Sequence, residues 1–186
     1  TLFRSVGDIM YADLDGDGKI SNGTNKLGDT GDYRIIGNST PRFKYGITLD
    51  AAWKGFDFSI FMQGIGKRDL WLDGCYFWGA NGQGNEWQST GFAEHWDFFR
   101  PEGDPLGANL NSYYPRVNFS GDRNTKVQTR YLQNGAYLRL KNVQLGYTLP
   151  RVWTEKAGIS SVRVYVSGDN LATITSLSKI FDPEAT

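Results

Sequence analysis

Cysteine, histidine and net charge are nearly absent from this chain of 186 residues. It has one cysteine, Cys75, and one histidine, His95, and its 20 basic residues balance its 20 acidic residues. A lone cysteine excludes an internal disulfide, and one cysteine with one histidine cannot form a typical structural zinc site. The balanced charge, without any basic stripe, argues against a nucleic-acid partner.

Catalytic signatures are missing too. A Ser/His/Asp triad would have to use His95, yet no nucleophile-elbow pattern accompanies it, and the glycine-rich nucleotide-binding motifs are absent. Glu86, Glu94 and Asp97 could in principle supply a glycosidase pair, because that chemistry needs only two carboxylates ~5–9.5 Å apart. Acids on a solvated loop are the ordinary explanation, so the sequence predicts a protein that is not an enzyme.

Long apolar runs are also lacking. No run is long enough for a membrane helix, and the opening residues show no basic-then-apolar leader, so any secretory signal lies outside this sequence. A transmembrane β-strand needs only ~9–11 alternating residues, so the missing helix does not exclude a membrane. Frequent glycine and aromatic residues, with little proline, favour a β-rich protein with long turns.

The clearest pattern is an alternation of apolar and polar residues from Arg42 to Gly66, interrupted by Lys54-Gly55. It predicts two antiparallel strands joined by a two-residue turn in which Gly55 supplies a positive φ. In the predicted register the apolar faces of both strands coincide. The pairs are Trp53 with Phe56, Leu49 with Ile60, Ile47 with Met62, and, on the polar side, Asp50 with Ser59. The pattern leaves open whether the apolar face meets lipid or a protein core.

An acidic loop precedes the hairpin, with Asp13, Asp15 and Asp17 at alternate positions before Gly18. This matches the first half of a calcium loop, because calcium takes about 6–8 hard oxygens and crowded carboxylates repel one another without a cation. The backbone carbonyl of Lys19 and the side chain of Ser21, directly or through water, are the next predicted ligands.

The acid that closes the predicted site is displaced along the chain. Thr24 holds the twelfth loop position and cannot chelate as glutamate does. Asp29 and Asp32 follow it, and Asp32 is preferred because it leads directly into the strand approach Tyr33–Ile36. DGDG is also good turn sequence by itself, so a solvated acidic turn is the alternative.

Periodicity disappears from Lys67 to about Lys126, and this stretch predicts a long loop with a short helix around Thr90–Phe99. A structureless loop of this length counts against a simple compact sandwich and is natural on the outer rim of a large barrel. The loop could stack on sugars or pack against itself, since it carries four of the six tryptophans: Trp71, Trp78, Trp87 and Trp96.

Alternation returns in the last third of the chain. Thr129–Leu149 predicts one long strand whose phase slips near Lys141-Asn142, which indicates a bulge. Arg151–Ala157 is predicted to form helical turns ending at Gly158. Val162–Leu171 then predicts an antiparallel return strand.

Four segments in this order resemble the C-terminal region of SusC/RagA-type TonB-dependent transporters of Bacteroidetes. They are VGDIMYADLDGDGKIS, LGDTGDYRIIGNSTPRFKYGITLDAAWKGFDFSIFMQGIGKRD, TRYLQNGAYLRLKNVQLGYTLP and VRVYVSGDNLATIT. The resemblance implies an all-β fold: antiparallel strands and hairpins from a transmembrane β-barrel, here a partial barrel with long extracellular loops. It divides the chain into an acidic loop and lead-in (1–41), the hairpin (42–66), the aromatic loop (67–126) and C-terminal strands (127–186).

The resemblance also implies a function and partners. Members of the family import glycans or peptides across the outer membrane with a SusD-like lipoprotein, driven by TonB. The family's plug and last strand are not found in this sequence. In the family's arrangement Lys54-Gly55 and residues 150–161 lie on the periplasmic side, whereas the acidic loop, residues 67–126 and residues 174–183 lie outside. The hypothesis is an outer-membrane importer segment in contact with lipid, with a structural calcium ion bound by Asp13, Asp15, Asp17, Lys19, Ser21 and Asp32.

Two other classes of protein remain as alternatives. A soluble exported β-domain that binds calcium and carbohydrate would use the same acidic and aromatic loops, but would bury the apolar face of the hairpin in a core. A secreted glycan hydrolase rests only on the loop carboxylates. Dense contact of a second sheet with Ile47, Leu49, Ile60 and Met62 would contradict a lipid-facing hairpin.

Overall fold

The computed structural model describes residues 5–84 and 91–185. Glu86, Trp87 and Thr90, on which parts of the glycosidase, aromatic-loop and helix predictions fall, lie outside the described residues. The chain divides into two compact units: unit 1 comprises residues 1–37 and 71–132, and unit 2 comprises residues 38–70 and 133–186.

Unit 2 is built on antiparallel strands. They are β1 (Lys44–Trp53), β2 (Phe56–Ile65), β3 (Asp69–Leu70), β4 (Gln133–Asn134), β5 (Tyr137–Thr148) and β6 (Arg163–Thr175). Strands β1, β2, β5 and β6 form one sheet in that order, and β3 pairs with β4. The predicted all-β, antiparallel fold class is confirmed at this level, while the described strands do not close into a barrel.

The predicted hairpin is confirmed residue by residue. Trp53 pairs with Phe56, Leu49 with Ile60, Ile47 with Met62, and Asp50 with Ser59. Both turn residues take a positive φ, 47° at Lys54 and 88° at Gly55, as in the tight turns that match strand twist. The turn and the alternation therefore agree on one register, which is why the sequence alone determines it.

The bulge predicted in the long strand is also confirmed. The register of β5 shifts between Leu140 and Asn142 against both of its neighbours, which leaves Lys141 as the extra residue. Because of the extra residue, Leu138 and Leu140 before the bulge lie on the same face of the sheet as Val143 and Leu145 after it. The partner β6 carries its own irregularity at Asn170, whose φ is 52°.

Strand ends differ from the sequence expectation in three places. Strand β5 begins at Tyr137 rather than near Thr129, and the segment Tyr33–Ile36 forms no strand. Strand β6 continues to Thr175 instead of ending at Leu171, because pairing with the first half of β5 resumes after its bulge. These strand ends depend on hydrogen-bonded pairing between segments that are distant in the sequence. The periodicity of one segment carries no information on such pairing.

The connection between β5 and β6 follows the prediction. A helical turn, α2 (Arg151–Thr154), leads into a 3₁₀ turn, Glu155–Ala157, and the left-handed Gly158 ends it. None of the helices within residues 5–84 and 91–185 has the length and apolar character needed to cross a membrane.

Unit 1 has little regular structure. Among its described residues the helical turns are α1 (Cys75–Trp78) and the 3₁₀ turn Ala93–Trp96, which lies inside the predicted helical range. An aromatic core replaces a sheet, since Phe77, Trp78 and Tyr131 each have less than 2% of their surface exposed. The rings meet edge to face, with 4.8 Å between the centroids of Trp78 and Tyr131.

The tryptophans of this unit serve different environments. Trp78 is buried and packs on Trp71, with ring centroids 5.7 Å apart. The indole N–H of Trp78 has no hydrogen-bond partner among the described residues. Trp96 is exposed. Packing of the loop against itself therefore accounts for Trp71 and Trp78, whereas Trp96 offers an open ring face.

Candidate functional site

The acidic loop brings three of its predicted ligands together. Carboxylate oxygens of Asp13, Asp15 and Asp32 lie within 4.8 Å of one another, although Asp32 is distant from the other two in the sequence. Asp13 and Asp15 are exposed and Asp32 is half-buried. Oxygen-only donors at this spacing are the set that a hard divalent cation prefers. With one oxygen from each acid, three carboxylates supply fewer ligands than calcium takes, so backbone carbonyls and water would have to complete its coordination.

The loop holds these acids in place through backbone hydrogen bonds. The two carboxylate oxygens of Asp13 accept from the N–H groups of Gly16, at 2.6 Å, and Gly18, at 2.8 Å. Both glycines have a positive φ, 80° and 78°, which lets the chain fold back over its own aspartate. The DGDG sequence therefore forms a tight turn around Asp13.

Asp32 closes the loop from the far end. Its Oδ1 accepts from the backbone N–H of Leu14 at 2.6 Å, and its Oδ2 accepts from that of Ser21 at 2.7 Å. These two hydrogen bonds lower the pKa of Asp32, more than desolvation raises it. Asp29 instead accepts from the hydroxyl of Thr24 at 2.6 Å, so Asp32 is the acid that joins Asp13 and Asp15.

Crowding of like charges shows at Asp15. The N–H of Asp17 donates to its carboxylate and lowers its pKa, but desolvation and the charges of Asp17, Asp32 and Asp13 raise it above the ordinary value. A cation among these oxygens would relieve that repulsion.

The remaining predicted ligands lie elsewhere in the loop. Asp17 is not a member of the three-acid cluster, and its Oδ1 accepts from the N–H of Lys19 at 2.7 Å. The hydroxyl of Ser21 accepts from the N–H of Gly23 at 3.2 Å, and the Ser21 carbonyl accepts from the N–H of Asp32 at 2.9 Å. Calcium binding by this loop stays a prediction.

Sequence reasoning missed a buried acid just before the loop. The side chain of Asp8 has no exposed surface, and it accepts from Arg116 Nε at 2.8 Å and Arg123 Nη1 at 3.3 Å. Asn124 and the backbone N–H of Ser5 complete its hydrogen bonds, at 3.2 and 3.0 Å. Its side-chain partners lie far away in the sequence, so no local pattern could have identified it.

Hydrogen bonds decide the protonation of Asp8. Burial by itself would raise its pKa, but hydrogen bonds from Ser5, Arg116 and Asn124 and the charge of Arg116 lower it to about 2. Asp8 is therefore ionised at neutral pH, and it ties the segment before the acidic loop to residues 116–124.

Asp97, one of the candidate glycosidase acids, has structural partners instead. One of its oxygens accepts from the Asn109 amide at 2.9 Å, and the other accepts from the backbone N–H of Tyr113 at 3.1 Å. Both ring nitrogens of His95 also have polar contacts: Nδ1 accepts from the N–H of Phe92, and Nε2 lies 3.1 Å from the carbonyl of Phe77. These side chains fix the loop around the aromatic core.

The sheet of unit 2 has two chemically distinct faces. One face carries five rows of mostly apolar side chains, which are Tyr45-Gly64-Leu138-Ile174, Ile47-Met62-Leu140-Ala172, Leu49-Ile60-Val143-Gly168, Ala51-Phe58-Leu145-Val166 and Trp53-Phe56-Tyr147-Val164. This apolar face is open, with 53% of Leu49, 46% of Leu145 and 67% of Val166 exposed. An apolar face of this extent marks a surface that meets an apolar environment.

The opposite face is polar and internally paired. Asp50 accepts from the Ser59 hydroxyl at 2.6 Å, and Asn142 donates to Asp169 at 2.7 Å. Arg163 forms an ion pair with Asp57 across Gly146, where any Cβ would meet both side chains. This polar face is suited to water or to a polar partner.

The sheet and its flanking loops are similar to part of known transport proteins. The fold resembles part of a much larger transport protein: two structures, described as the RagAB peptide importer and the RagAB peptide transporter, match it with TM-scores of 0.61 and 0.62. They are 27% and 26% identical to it, cover 82% and 83% of this chain, and are matched over 16% of their own chains.

Two proteins of Formosa agariphila, both described as TonB-dependent receptors, are similar in sequence to the chain. TonB-dependent receptor P3 is 35% identical over 180 residues, and TonB-dependent receptor P26 is 30% identical over 182 residues. Each match covers 96% of this chain and 16% of the relative, so the chain spans about a sixth of their length. No protein-family model matches the chain. Along 96% of its length the chain matches TonB-dependent receptors, and the resemblance to the SusC/RagA type is confirmed.

Proposed function

We propose that this chain is a wall segment of an outer-membrane, TonB-dependent importer of glycans or peptides. The observation that carries the proposal is the open apolar face of the four-stranded sheet, opposite an internally paired polar face. From Tyr45 to Trp53 the face extends over nine residues. This length lies within the ~9–11 residues that a tilted transmembrane β-strand needs.

The ends of the apolar face support this placement. Trp53, Phe56 and Tyr147 lie together at the hairpin end, with 4.5 Å between the ring centroids of Phe56 and Tyr147. Tyr45 lies at the other end, where its hydroxyl donates to the carbonyl of Tyr137 at 3.3 Å. Aromatic residues at both borders of an apolar band are typical of a barrel that crosses a membrane.

A soluble exported β-domain is the weaker hypothesis. It needs a second layer over Ile47 and Leu49, and both of these side chains are exposed. The polar face would then be the outer surface, which leaves the apolar face without a partner among the described residues. No enzymatic role is proposed, and the named relatives are receptors and importers.

Opposite-face substitutions in the full-length receptor test the lipid-facing assignment. Leu49→Lys places a charge in the middle of the apolar face, at a cost of about 2–4 kcal/mol if that face meets lipid. The matched control is Asp50→Lys, one residue along the same strand but on the polar face. We expect Leu49→Lys to lower the amount of receptor folded in the outer membrane far more than Asp50→Lys. Equal effects would contradict the assignment.

Partners follow from the resemblance and are part of the same proposal. We infer that the complete receptor acts with a SusD-like surface lipoprotein and draws energy from TonB through regions outside these residues. The matched solved structures, described as a RagAB peptide importer, favour a peptide as one substrate class. Uptake of labelled peptides and of labelled oligosaccharides by cells would distinguish the two substrate classes. Uptake that is the same in cells with and without TonB would contradict the proposal.

We also propose a structural calcium ion in the acidic loop. The motif and the clustering of Asp13, Asp15 and Asp32 support it, with the Lys19 carbonyl and Ser21 as further candidates. Calcium should slow proteolysis of residues 13–32 in the full-length receptor, and a chelator should reverse the effect. Asp13→Asn should abolish this protection, whereas Asp122→Asn, an exposed acid outside the loop, should preserve it. Identical cleavage with calcium and with chelator would contradict the site.

A further inference from the structure

The segment after β6, residues 177–185, folds back onto the sheet, and we refer to it as the strap. Its first residue, Leu177, is only 4% exposed, and Pro183 is also buried. Two turns order it, in which the N–H of Phe181 donates to the Ser178 carbonyl and that of Ala185 donates to the Asp182 carbonyl, both at 3.1 Å. The strap is therefore a packed element of unit 2.

One arginine of the sheet fastens the strap. Arg139, in β5, donates through Nη2 to Asp182 and through Nη1 to Glu184, both at 2.6 Å. Its Nε donates to the hydroxyl of Thr173 at 2.8 Å, which orients the guanidinium across β6. Lys141, the bulge residue, adds a contact of 3.0 Å with Glu184.

Burial strengthens these ion pairs. The Arg139 side chain is 11% exposed, and the strap carboxylates are 50% exposed at Asp182 and 30% at Glu184. The hydrogen bond from Arg139 is the main reason that the pKa of Asp182 lies below its ordinary range. An arginine that holds two carboxylates through separate nitrogens fixes geometry better than a single surface pair does.

The register determines the side of the sheet on which the strap lies. Arg139 is aligned with Gln63 on β2 and with Thr173 on β6, a row of the polar face. Tyr137 belongs to the same face and is buried. The strap therefore covers the polar face at the end of the sheet that is opposite the Lys54-Gly55 turn.

We propose that the strap is an inward-folded constriction loop, which Arg139 holds against the inner wall of the barrel so that it narrows this mouth and limits the size of solutes that pass along the wall. The inference rests on the proposed function, because the polar face is the inner face only if the apolar face meets lipid. A barrel wall turns its polar side chains inward, so a segment bound to them occupies the lumen.

Size-dependent thiol labelling of the full-length receptor in intact cells tests the strap. A cysteine at Gln63, in the same row as Arg139, reports access to the wall, in a background where Cys75 and any other cysteines are replaced by serine. The probes are a small membrane-impermeant maleimide and a maleimide carried on a large polyethylene glycol. We expect Arg139→Gln to speed labelling by the large probe at least ~10-fold, with little change for the small one. The substitution removes the ion pair that holds Asp182 and leaves Lys141 as the cation that pairs with Glu184.

A second variant distinguishes release of the strap from misfolding of β5. Asp182→Asn with Glu184→Gln releases the strap from its own side and leaves β5 intact, and it should reproduce the effect of Arg139→Gln without adding to it. The matched control is Arg163→Gln, which removes an arginine from the same face but pairs with Asp57.

Two results would overturn the inference. Equal ratios of large-probe to small-probe labelling in the native and released receptors would show that the strap does not constrict the mouth. A Gln63 cysteine that reacts with neither probe, but reacts with a lipid-soluble one, would show that the polar face is not the inner face, and the proposed function would fail with it.

Discussion

The two units of the chain are stabilised by different kinds of contact. Unit 2 is built on a four-stranded sheet in which strand residues outside the bulge face partners at a fixed register. Unit 1 has short helical turns, a core of aromatic rings and side chains such as Asp8, which binds arginines that are distant in the sequence. The sheet depends on periodicity that can be read along the chain, whereas unit 1 depends on contacts between residues far apart in sequence.

The largest effect in this comparison is expected at Tyr131, in the core of unit 1. Tyr131 has no exposed surface, and its hydroxyl donates to the Tyr113 carbonyl at 2.7 Å. Tyr131→Ala should cost unit 1 about 3–5 kcal/mol, because it leaves a cavity among rings that cannot collapse. Hydrogen exchange of residues 71–132 in the purified full-length receptor measures this. Trp96→Ala is the control, since an exposed ring should change stability by about 0.5 kcal/mol or less.

An intermediate effect is expected at Gly64, in the sheet of unit 2. A Cβ at this position would collide with the backbone carbonyl of Tyr137 and lie 2.6 Å from the hydroxyl of Tyr45. Gly64→Ala should therefore destabilise the sheet by about 1–3 kcal/mol, through overpacking. The thermal unfolding temperature of the full-length receptor reports the change, and Thr48→Ala on the exposed polar face of β1 should leave it nearly unchanged. A Gly64→Ala receptor as stable as the native one would contradict the close approach.

The smallest effect is expected at Asp8, and it depends on pH. The folded-state pKa of about 2 lies below the ordinary value of 3.8, so ionised Asp8 stabilises unit 1 above about pH 4, and this stabilisation is lost as the pH falls toward 2. Asp8→Asn should cost about 1–2 kcal/mol at pH 7 and almost nothing near pH 2. Proteolysis of residues 5–37 across this pH range measures the difference, with Glu102→Gln as an exposed control. A cost independent of pH would contradict the role of the charge.

Alternation and turn chemistry made the sheet predictable. The β1–β2 register, the turn at Lys54-Gly55 and the bulge at Lys141 all follow from a period of two and its slip. The ends of β5 and β6 were not predictable, because Tyr137 and Thr175 pair with each other although they are far apart in the chain. Pairing of this kind depends on which segments meet, and no single segment carries that information.

The candidate site was predictable only in part. The spacing of Asp13 and Asp15 indicates a loop that gathers carboxylates, and the carboxylate of Asp32 lies beside them, whereas closure of a metal site by Asp32 stays a prediction. Asp17 lies outside the cluster because its carboxylate accepts from the N–H of Lys19 instead. Asp8 gave no signal, since its burial depends on Arg116 and Arg123, which meet it only in the folded unit.

The most direct test of whether the apolar face meets lipid is to measure the environment of three consecutive residues of β1 in the full-length receptor. Spin labels at Thr48, Leu49 and Asp50 are compared for collision with oxygen, which concentrates in lipid, and with a water-soluble nickel complex. If the apolar face meets lipid, the label at Leu49 alone collides frequently with oxygen and is protected from nickel, because Leu49 lies on the apolar face between two polar-face neighbours. A Leu49 label that is immobile and protected from both reagents would place this face in a protein core and contradict the lipid-facing assignment.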